Sequence, residues 1–444
     1  MFIWDNSQII SLKRLLLNSY YYVKMGKKSL TQKIITHFDL GGSKISGLAG
    51  WVEEDGTLTI LGEERHDYDE IKAGVIEKVS DVAFKINELS KYLQNSLRID
   101  QIRQVSISVI PKKQKQTFRT ITQAIPKTVT QEFLNKIKAQ LKADINTESI
   151  YVFDIQETEY FIDGRFTNKP VGQSGTTLRV DYRIVTGSLK VQESIERCFE
   201  RTGIELENIL LGIDALAVAV LEEEDKEKGC ALISFGATTT TLGVFNEGKL
   251  QELFLVPLGG LNITKDIEEL GIKYEYAEKL KCLKGCALES RVTVPINIKA
   301  PAVDTEKGYI LISTSFLATI IEARLSEMLD PVFDVINQIT YRLPNGIIIT
   351  GGAAKLNHLD EFISEKTGLQ VHHGKHGEWL SEDTPEIFYQ PEYSQAVGAM
   401  LLVNELNKIV NIEPKVKRKF FGKMKKSLGN KVLDIFNYDE MGNE

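Results

Sequence analysis

The 444-residue chain lacks the features that define several common classes of protein. It has four cysteines (Cys198, Cys230, Cys282 and Cys286), too few and too unevenly spaced for a disulfide framework. Its formal net charge of −7 argues against a general nucleic-acid binder. No run of residues is long and apolar enough to span a bilayer. We therefore expect buried, reduced thiols in a globular chain of more than one domain.

The first residues lack the small-residue cleavage site that follows a signal peptide. An apolar run at 15–17 follows a basic pair at 13–14, but polar residues interrupt it. We expect residues 1–30 to be a disordered leader, with Met25 as an alternative translation start. A weak surface anchor is the other interpretation of this segment.

A glycine-containing hairpin occurs twice in the chain. The first copy comprises residues 34–40, a turn at 41–43 and a return at 44–48; the second comprises 230–235, 236–239 and 240–245. A second tight turn and a third strand-like run follow each copy. Short turns of Gly, Ser and Thr offer backbone N–H groups and hydroxyls to an anion. The repetition predicts two related lobes that face one nucleotide.

A third small-residue turn supports the same interpretation. The Gly-Gly-Ala turn at 351–353 follows the apolar run at 346–350, which has the pattern of a buried strand. The two hairpins differ at the position where a metal ion would require a carboxylate. The first has Asp39 there and adds Lys44 beside the turn, whereas the second has Ser234.

The motifs resemble those of the bacterial cell-division protein FtsA, a family of the actin-like ATPase superfamily. The matching segments are phosphate-1 at 39–44, Asn-Lys-Pro-Val-Gly at 168–172 with Ser-Gly at 174–175, connect-1 near 212–217, phosphate-2 at 234–241, Gly-Gly at 259–260 followed by Thr-Lys-Asp-Ile at 264–267, Ala-Glu-Lys-Leu-Lys at 277–281 with Gly-Cys-Ala at 285–287, the adenosine motif at 349–354 and Tyr-Ser-Gln-Ala-Val-Gly at 393–398. The resemblance covers about residues 32–437. It implies an α/β, actin-like (ribonuclease-H-like) two-lobed fold with a duplicated β-meander and helix core and an FtsA-type subdomain 1C.

The resemblance also implies a domain organisation. The core of lobe 1 (1A) would comprise residues 31–110, 181–215 and 392–410, with subdomain 1C at 111–180. The core of lobe 2 (2A) would comprise residues 216–270 and 344–391, with subdomain 2B at 271–343. Residues 411–444 would form a linker and a membrane-targeting tail.

Site roles follow from the resemblance residue by residue. Asp39 would hold Mg²⁺ of a bound ATP through water. The phosphates would contact Gly41, Gly42, Ser43, Lys44, Gly236, Ala237, Thr238 and Thr239. The ribose and base would contact Glu278, Lys281, Gly351, Gly352 and Ala353. Without the resemblance, Glu278 and Lys281 have the pattern of an exposed i,i+3 helix pair.

The phosphate-2 segment departs from the family pattern Asp-x-Gly-Gly-Gly-Thr-x-Asp. Its acidic positions hold Ser234 and Thr241, and two of its glycines are replaced by Ala237 and Thr238. A hydroxyl lacks the charge of a carboxylate, and extra Cβ atoms narrow the approach of the backbone. We therefore predict ATP binding with weak or absent hydrolysis; the alternative is ordinary activity with Ser234 accommodated. The resemblance makes Asp214, in connect-1, a candidate for positioning the attacking water, as related ATPases do there, although the motif does not match at Asp214 itself.

The C-terminal tail carries a second functional signal. Residues 415–431 are rich in lysine, contain no acid and repeat apolar residues at helical spacing. The candidate membrane-contacting residues are Phe420, Phe421, Lys423, Met424, Lys425, Lys426 and Leu428. A cationic helix with an aromatic stripe is typical of an interfacial helix. The alternatives are a basic disordered tail and a helix that docks on a protein partner.

These patterns together predict an FtsA-like cell-division protein, at most a weak ATPase. It would bind ATP, self-associate into filaments and tether FtsZ to anionic lipids on the cytoplasmic face of the inner membrane, at the division site. The FtsZ C-terminal peptide would dock on residues 291–343, and later divisome proteins would be further partners. Two alternatives are a PilM-like pilus-assembly adaptor, a family that generally lacks such a tail, and a sugar or acetate kinase, against which the altered phosphate-2 segment argues.

Overall fold

The computed structural model describes residues 33–68, 71–72, 74–110, 114–145, 148–304, 308–382 and 384–412. The chain divides into two compact units, one up to Val403 and one from Asn404 onward. The strands of the described residues all lie in the first unit. The described part of the second unit is the end of the last helix. The expected leader and the tail residues 415–431 lie outside the described residues.

Strands and helices alternate along most of the chain. The strands are β1 (Ile35–Leu40), β2 (Lys44–Val52), β3 (Leu58–Asp67), β4 (Ile71–Lys72), β5 (Val75–Ile76), β6 (Gln104–Val109), β7 (Lys115–Ala124), β8 (Ile150–Ile162), β9 (Arg165–Thr167), β10 (Thr177–Ser188), β11 (Glu205–Leu211), β12 (Cys230–Phe235), β13 (Thr240–Asn246), β14 (Lys249–Val256), β15 (Asn297–Pro301), β16 (Tyr309–Ser313), β17 (Ile347–Thr350) and β18 (Val371–His373). The helices are α1 (Val79–Leu97), α2 (Gln131–Asp144), α3 (Leu189–Thr202), α4 (Gly212–Val220), α5 (Glu223–Lys228), α6 (Gly260–Glu268), α7 (Tyr274–Lys284), α8 (Thr314–Gln338), α9 (Leu359–Thr367) and α10 (Ser394–Ile412).

Each of the two predicted hairpins belongs to a five-stranded sheet, and the two sheets have the same topology. The first sheet has the order β3-β2-β1-β6-β11, and the second has the order β14-β13-β12-β17-β18. Each begins with an antiparallel meander of three strands and continues with two parallel strands. The predicted duplication of a β-meander is therefore confirmed.

Helices cover both faces of each sheet, which is why the central strands are apolar throughout. In the first sheet, Phe38 packs toward α1 and α3, whereas Ile35 packs toward α10. In the second sheet, Ile233 packs toward α6 and α8, whereas Leu232 packs toward α4. Each such side chain contributes about 1.5–3 kcal/mol by leaving water.

Apolar residues at 75, 79, 82, 86, 89 and 93 predict an amphipathic helix over residues 74–96, but helix α1 begins five residues later, at Val79. Gly74 has a φ of 76°, which closes a small hairpin between β4 and β5. Val75, expected on the helix stripe, belongs to that hairpin. The remainder of the stripe is buried as predicted, through Val82, Ile86, Leu89 and Leu93.

A separate four-stranded antiparallel sheet, in the order β7-β10-β8-β9, carries helix α2. The Thr130 side chain caps α2 by accepting a hydrogen bond from the Phe133 backbone N–H at 3.1 Å. Gln116 of β7 bonds to the backbone of β14, donating to the Gln251 carbonyl at 2.6 Å and accepting from the Leu253 N–H at 3.0 Å. This sheet is therefore joined to the second five-stranded sheet.

The segment between α6 and β17 contains α7, the β15–β16 hairpin and the 25-residue helix α8. The sequence pattern predicts a helix from Ser315 to Gln338, and helix α8 begins one residue earlier, at Thr314, and ends at Gln338. Its buried stripe packs on the second sheet through Leu317, Ile321 and Leu325. Among the helices in the described ranges, none is long and apolar enough to cross a membrane.

Candidate functional site

A cavity of about 850 Å³ lies between the two hairpins. The structure brings together at this cavity all the residues predicted to contact the nucleotide, together with Asp39: Gly41, Gly42, Ser43, Lys44, Gly236, Ala237, Thr238, Thr239, Glu278, Lys281, Gly351, Gly352 and Ala353. Its volume falls in the range of pockets that enclose small ligands and cofactors. One cavity therefore collects residues separated by more than 300 positions in the sequence.

The two hairpin turns form the base of the cavity. A Cβ atom added at Gly41 would lie 3.0 Å from the Lys44 carbonyl, and one at Gly236 would lie 3.0 Å from the Thr239 carbonyl. The Gly236 N–H donates to the Thr239 carbonyl at 2.9 Å, which closes the second turn. Both turns are therefore too tight for a larger residue at these glycines, and both line the cavity.

Helix α6 begins directly on the second turn. The N–H groups of Gly260 and Leu261 donate to the carbonyls of Gly236 and Ala237 at 3.0 and 2.8 Å. A Cβ atom at Gly259 would come within 2.6 Å of those carbonyls, so only glycine fits there. This packing holds the second turn in place against the helix.

The turn after β17 approaches the second hairpin equally closely. Gly351 has a φ of 94°, a conformation that favours glycine, and a Cβ atom there would lie 2.5 Å from the Phe235 carbonyl. Gly352 has open space where its Cβ would lie, with Glu392 Cβ 4.0 Å away. The first glycine is therefore required by the fold, and the second leaves the cavity wall open.

Glu278 and Lys281 form an ordered polar group on this wall. Their ion pair measures 2.7 Å between Glu278 Oε2 and Lys281 Nζ. Lys281 also donates to the Gly260 carbonyl at 3.0 Å and to the Thr264 hydroxyl at 2.8 Å, and that hydroxyl donates to Glu278. Burial raises the pKa of Glu278, but the bonds from Lys281 and Thr264 outweigh it and leave the pKa below its usual value. The pair thus lines the cavity rather than standing free on the surface.

Asp39 is the buried carboxylate of the first hairpin. Burial raises the pKa of Asp39 above its usual value, and the positive charge of Lys44 opposes that shift. Burial likewise lowers the pKa of Lys44, which Asp39 partly restores. The Gln395 amide donates to Asp39 Oδ1 at 3.2 Å. A cation or a bound N–H donor beside Asp39 would favour its ionised form.

The second hairpin offers hydroxyls where the first offers a carboxylate. Ser234 lines the cavity and pairs with Thr241 across β12 and β13. Thr241 Oγ1 is buried and has no hydrogen-bond partner within the described part of the chain. Ser234, the member of this pair that lines the cavity, therefore brings no negative charge to it.

The structure does not place Asp214 at the cavity. This residue lies on α4 and is not among the side chains that line the cavity. Its surroundings are Asp154 and Arg183, and burial, followed by repulsion from Asp154, raises its pKa to about 7. Position in a sequence motif could not reveal that α4 turns this carboxyl toward the four-stranded sheet.

One expectation about cysteine is corrected. Cys198, Cys230 and Cys286 are free and buried as expected, but Cys282 is exposed and lines the cavity. Its thiol lies 3.3 Å from Glu278 Oε1, one turn back along α7. The i,i+4 spacing of Cys282 and Cys286 predicts a shared helix face, but α7 ends at Lys284 and Cys286 lies beyond it.

Several residues that line the cavity were missed by the sequence analysis, most of them because they come from segments without a motif. They are Arg65, Tyr274, Lys355, Glu392 and Gln395. Lys355 Nζ lies 3.3 Å from Glu392 Oε1, an ion pair between the turn after β17 and the segment before α10. Gln395 stands within the Tyr-Ser-Gln-Ala-Val-Gly motif, and this was the available signal for it.

Comparisons with known proteins agree with this architecture. A family model described as cell division protein FtsA matches residues 231–398. FtsA of Escherichia coli K12 is 26% identical over 404 residues, covering 88% of this chain and 95% of the relative. FtsA of Pseudomonas aeruginosa is 26% identical over 374 residues, covering 83% and 89%. FtsA of Bacillus subtilis is 33% identical over 209 residues, covering 46% and 47%.

Two solved structures share the fold at low sequence identity. The PilM–PilN type IV pilus biogenesis complex matches with a TM-score of 0.60 and 15% identity, covering 86% of this chain and 99% of that one. MreB5 of Spiroplasma citri bound to ADP matches with a TM-score of 0.54 and 12% identity, with the same coverage. The α/β, actin-like fold predicted from the motifs is therefore confirmed, and the chain is similar to FtsA over most of its length.

Proposed function

We propose that this chain is a cell-division protein that binds ATP in the cavity between its hairpins, forms filaments and tethers FtsZ to the cytoplasmic face of the membrane during septum formation. One observation supports the proposed ATP binding most strongly: three turns of small residues line the same cavity. The similarity to FtsA over most of the chain supports the cell-division role.

The residues present fit a nucleotide with Mg²⁺. Among the described residues, no three His, Cys, Asp or Glu side chains group as a metal site of their own. A Mg²⁺ ion on a nucleotide needs fewer protein ligands, because it retains water and uses one or two carboxylates together with the phosphates. Asp39 would supply that carboxylate, and the turns at 41–43 and 236–239 would supply N–H groups and hydroxyls to the phosphates. The bound cation would neutralise phosphate charge.

In this proposal ATP has a gating role, and its hydrolysis is weak or absent. Ser234 and Thr241 bring no carboxylate to the phosphates, and Asp214 lies elsewhere. Enzymes of phosphoryl transfer depend on placed charge and an oriented nucleophile. The second hairpin of this chain provides hydroxyls instead. ATP binding would therefore determine how the two five-stranded sheets are oriented relative to each other, without rapid hydrolysis of the ATP.

The segment after α7 offers a surface for the FtsZ C-terminal peptide. Val294, Ile296, Leu311 and Phe316 are exposed apolar side chains of this segment. The Ile296 backbone N–H donates to the Thr314 hydroxyl at 3.1 Å, which joins the strand before β15 to the start of α8. We propose that these exposed side chains belong to a site of protein contact. We call these four residues the apolar patch.

The tail would supply the membrane contact. Its candidate residues, from Phe420 to Leu428, lie outside the described residues, so this part of the proposal depends on the sequence pattern. Each basic residue near an anionic leaflet contributes about 1 kcal/mol. Several lysines beside an aromatic stripe would therefore hold the chain at an anionic surface.

A vesicle experiment tests the proposed tether. The full chain, FtsZ and ATP are mixed with vesicles containing anionic lipid and then sedimented. We expect FtsZ to sediment with the vesicles only when the chain is present, and not with a variant that ends at Pro414. Vesicles of neutral lipid serve as the control. Equal sedimentation of the truncated variant would contradict the tether, and failure to recruit FtsZ would favour another adaptor role.

A further inference from the structure

A chain of buried hydrogen bonds ends on Asp39. His37 lies two residues before Asp39 on β1, so both side chains project from the same face of the sheet. The His37 ring is fully buried, with Nδ1 3.0 Å from Ser106 Oγ and Nε2 3.1 Å from Ser108 Oγ. Both serines lie on β6, the parallel neighbour of β1.

Gln395 joins this chain to Asp39. Its amide Nε2 donates to Ser108 Oγ at 2.8 Å and to Asp39 Oδ1 at 3.2 Å. An ionised carboxylate only accepts hydrogen bonds, so the contact with Asp39 determines which end of the amide faces it. The other end, Oε1, lies 2.9 Å from the position that a Cβ atom on Gly212 would occupy, so Gly212 leaves it room.

The donor and the acceptor of each hydrogen bond in this network follow from its Ser106 end. The Ser106 hydroxyl donates to the Thr36 carbonyl at 3.5 Å, so Ser106 Oγ accepts from His37 Nδ1–H. His37 Nε2 then accepts from the Ser108 hydroxyl, and Ser108 Oγ is left to accept from Gln395. This order leaves the amide of Gln395 with a donor for Asp39.

The two oxygens of Asp39 therefore face different surroundings. Oδ1 is held by Gln395. Oδ2 lies on the side of the phosphate turn, 3.8 Å from the position of a Cβ atom at Gly41. A carboxylate that serves a Mg²⁺–phosphate group requires this kind of fixed orientation, because its supporting contacts align it before the ligand arrives.

We propose that Gln395 is a positioning residue that holds Oδ1 of Asp39, through the buried chain from His37, so that Oδ2 faces the Mg²⁺ of a bound nucleotide. This inference rests on the proposed ATP binding. It means that α10, through Gln395, contributes to the effect of Mg²⁺ on ATP affinity. A purely structural role for Gln395, fastening α10 to β1 and β6, is the alternative that the experiment must separate.

The experiment measures the ATP dissociation constant in EDTA and in excess Mg²⁺. The first value divided by the second is the Mg²⁺ gain, the factor by which Mg²⁺ strengthens ATP binding. Gln395→Met keeps the length of the side chain and removes its donor. Asp39→Ala removes the carboxylate, and the double variant completes a cycle. Ser394→Ala is the matched control, because Ser394 is the neighbouring buried polar residue on α10 and bonds to His376 at 2.9 Å.

We expect Gln395→Met to lower the Mg²⁺ gain about tenfold while leaving the affinity in EDTA unchanged, as loss of one hydrogen bond to a charged group would do. Asp39→Ala should abolish the gain, and adding Gln395→Met to it should change nothing further. Ser394→Ala should keep the wild-type gain. Ser108→Ala, which leaves α10 intact, should lower the gain in the same direction.

Three results separate the possibilities. A wild-type Mg²⁺ gain in folded Gln395→Met overturns the inference; if that variant does not fold, a wild-type gain in Ser108→Ala overturns it. An equal effect of Gln395→Met in the Asp39→Ala background also overturns it, because the amide would then act without the carboxylate. Absence of ATP binding by the wild-type chain in both conditions would instead refute the proposed function.

Discussion

The Thr238 side chain packs directly on Gly42, so the two phosphate turns touch across the cavity. A Cβ atom added at Gly42 would lie 2.3 Å from Thr238 Oγ1 and 2.6 Å from Thr238 Cγ2. Gly42 belongs to the first hairpin, and Thr238 stands in the second where the family has glycine. The Thr238 side chain therefore occupies the space that a side chain at Gly42 would need.

This contact predicts a specific pair of variants. Gly42→Ala should lower the thermal unfolding midpoint by about 2–4 °C, because an overpacked contact costs about 1–3 kcal/mol. In a Thr238→Gly background the same substitution should have little effect, since the clashing atoms are gone. Gly352→Ala, which adds a methyl group into open space, is the control. Equal losses from Gly42→Ala in both backgrounds would contradict the contact.

The second hairpin predicts slow ATP turnover. Phosphate release by the wild-type chain should lie near background, and Ser234→Asp should raise it about tenfold by restoring a carboxylate at the phosphates. Ser234→Asn matches aspartate in size without its charge and should not raise it. Robust wild-type turnover that Asp39→Ala abolishes would show that the altered hairpin still supports catalysis.

The sequence predicted the sheets and most of the cavity for different reasons. The meanders were predictable because strand and turn patterns are local. The cavity residues were predictable because motifs of the family mark them. The bond between Gln395 and Asp39 joins positions 356 apart, and no local pattern records such a contact. Asp214 was misleading for a related reason, since the packing of α4 decides which way its carboxyl points.

A buried histidine predicts acid sensitivity of the fold. Burial lowers the pKa of His376, whose Nε2 lies 2.6 Å from the Phe388 carbonyl and whose Nδ1 lies 2.9 Å from the Ser394 hydroxyl. Below its usual pKa of about 6.5 the unfolded chain binds a proton that the folded chain does not, so stability falls as pH falls. The slope from this group approaches about 1.4 kcal/mol per pH unit.

The measurement is the unfolding midpoint from pH 7.5 down to 5 (about the range where an unshifted histidine titrates). His376→Gln keeps an amide donor near the Phe388 carbonyl and does not titrate, so its midpoint should fall less steeply with acid. His372→Gln, a neighbouring exposed histidine, is the control. Parallel curves for the wild type and His376→Gln would contradict the assignment.

The apolar patch predicts where FtsZ docks. Leu311 is 56% exposed, and Leu311→Asp should weaken binding of an FtsZ C-terminal peptide by about tenfold or more, because a charge replaces apolar contact area. Phe84→Asp is the matched control, because Phe84 is 62% exposed and lies on α1, a helix that packs against the first sheet. Fluorescence anisotropy with a labelled peptide gives both affinities. Unchanged affinity in Leu311→Asp would place the peptide elsewhere.

Calorimetric titration with ATP and Mg²⁺ tests the central claim most directly. The account predicts one bound ATP per chain, and about tenfold weaker binding in Lys281→Ala, which removes the cation beside Glu278 and the Gly260 carbonyl. Lys284→Ala, an exposed lysine on the same helix, should bind as the wild type does. Absence of ATP binding by the wild-type chain, or equal binding by Lys281→Ala, would contradict a nucleotide site between the two hairpins.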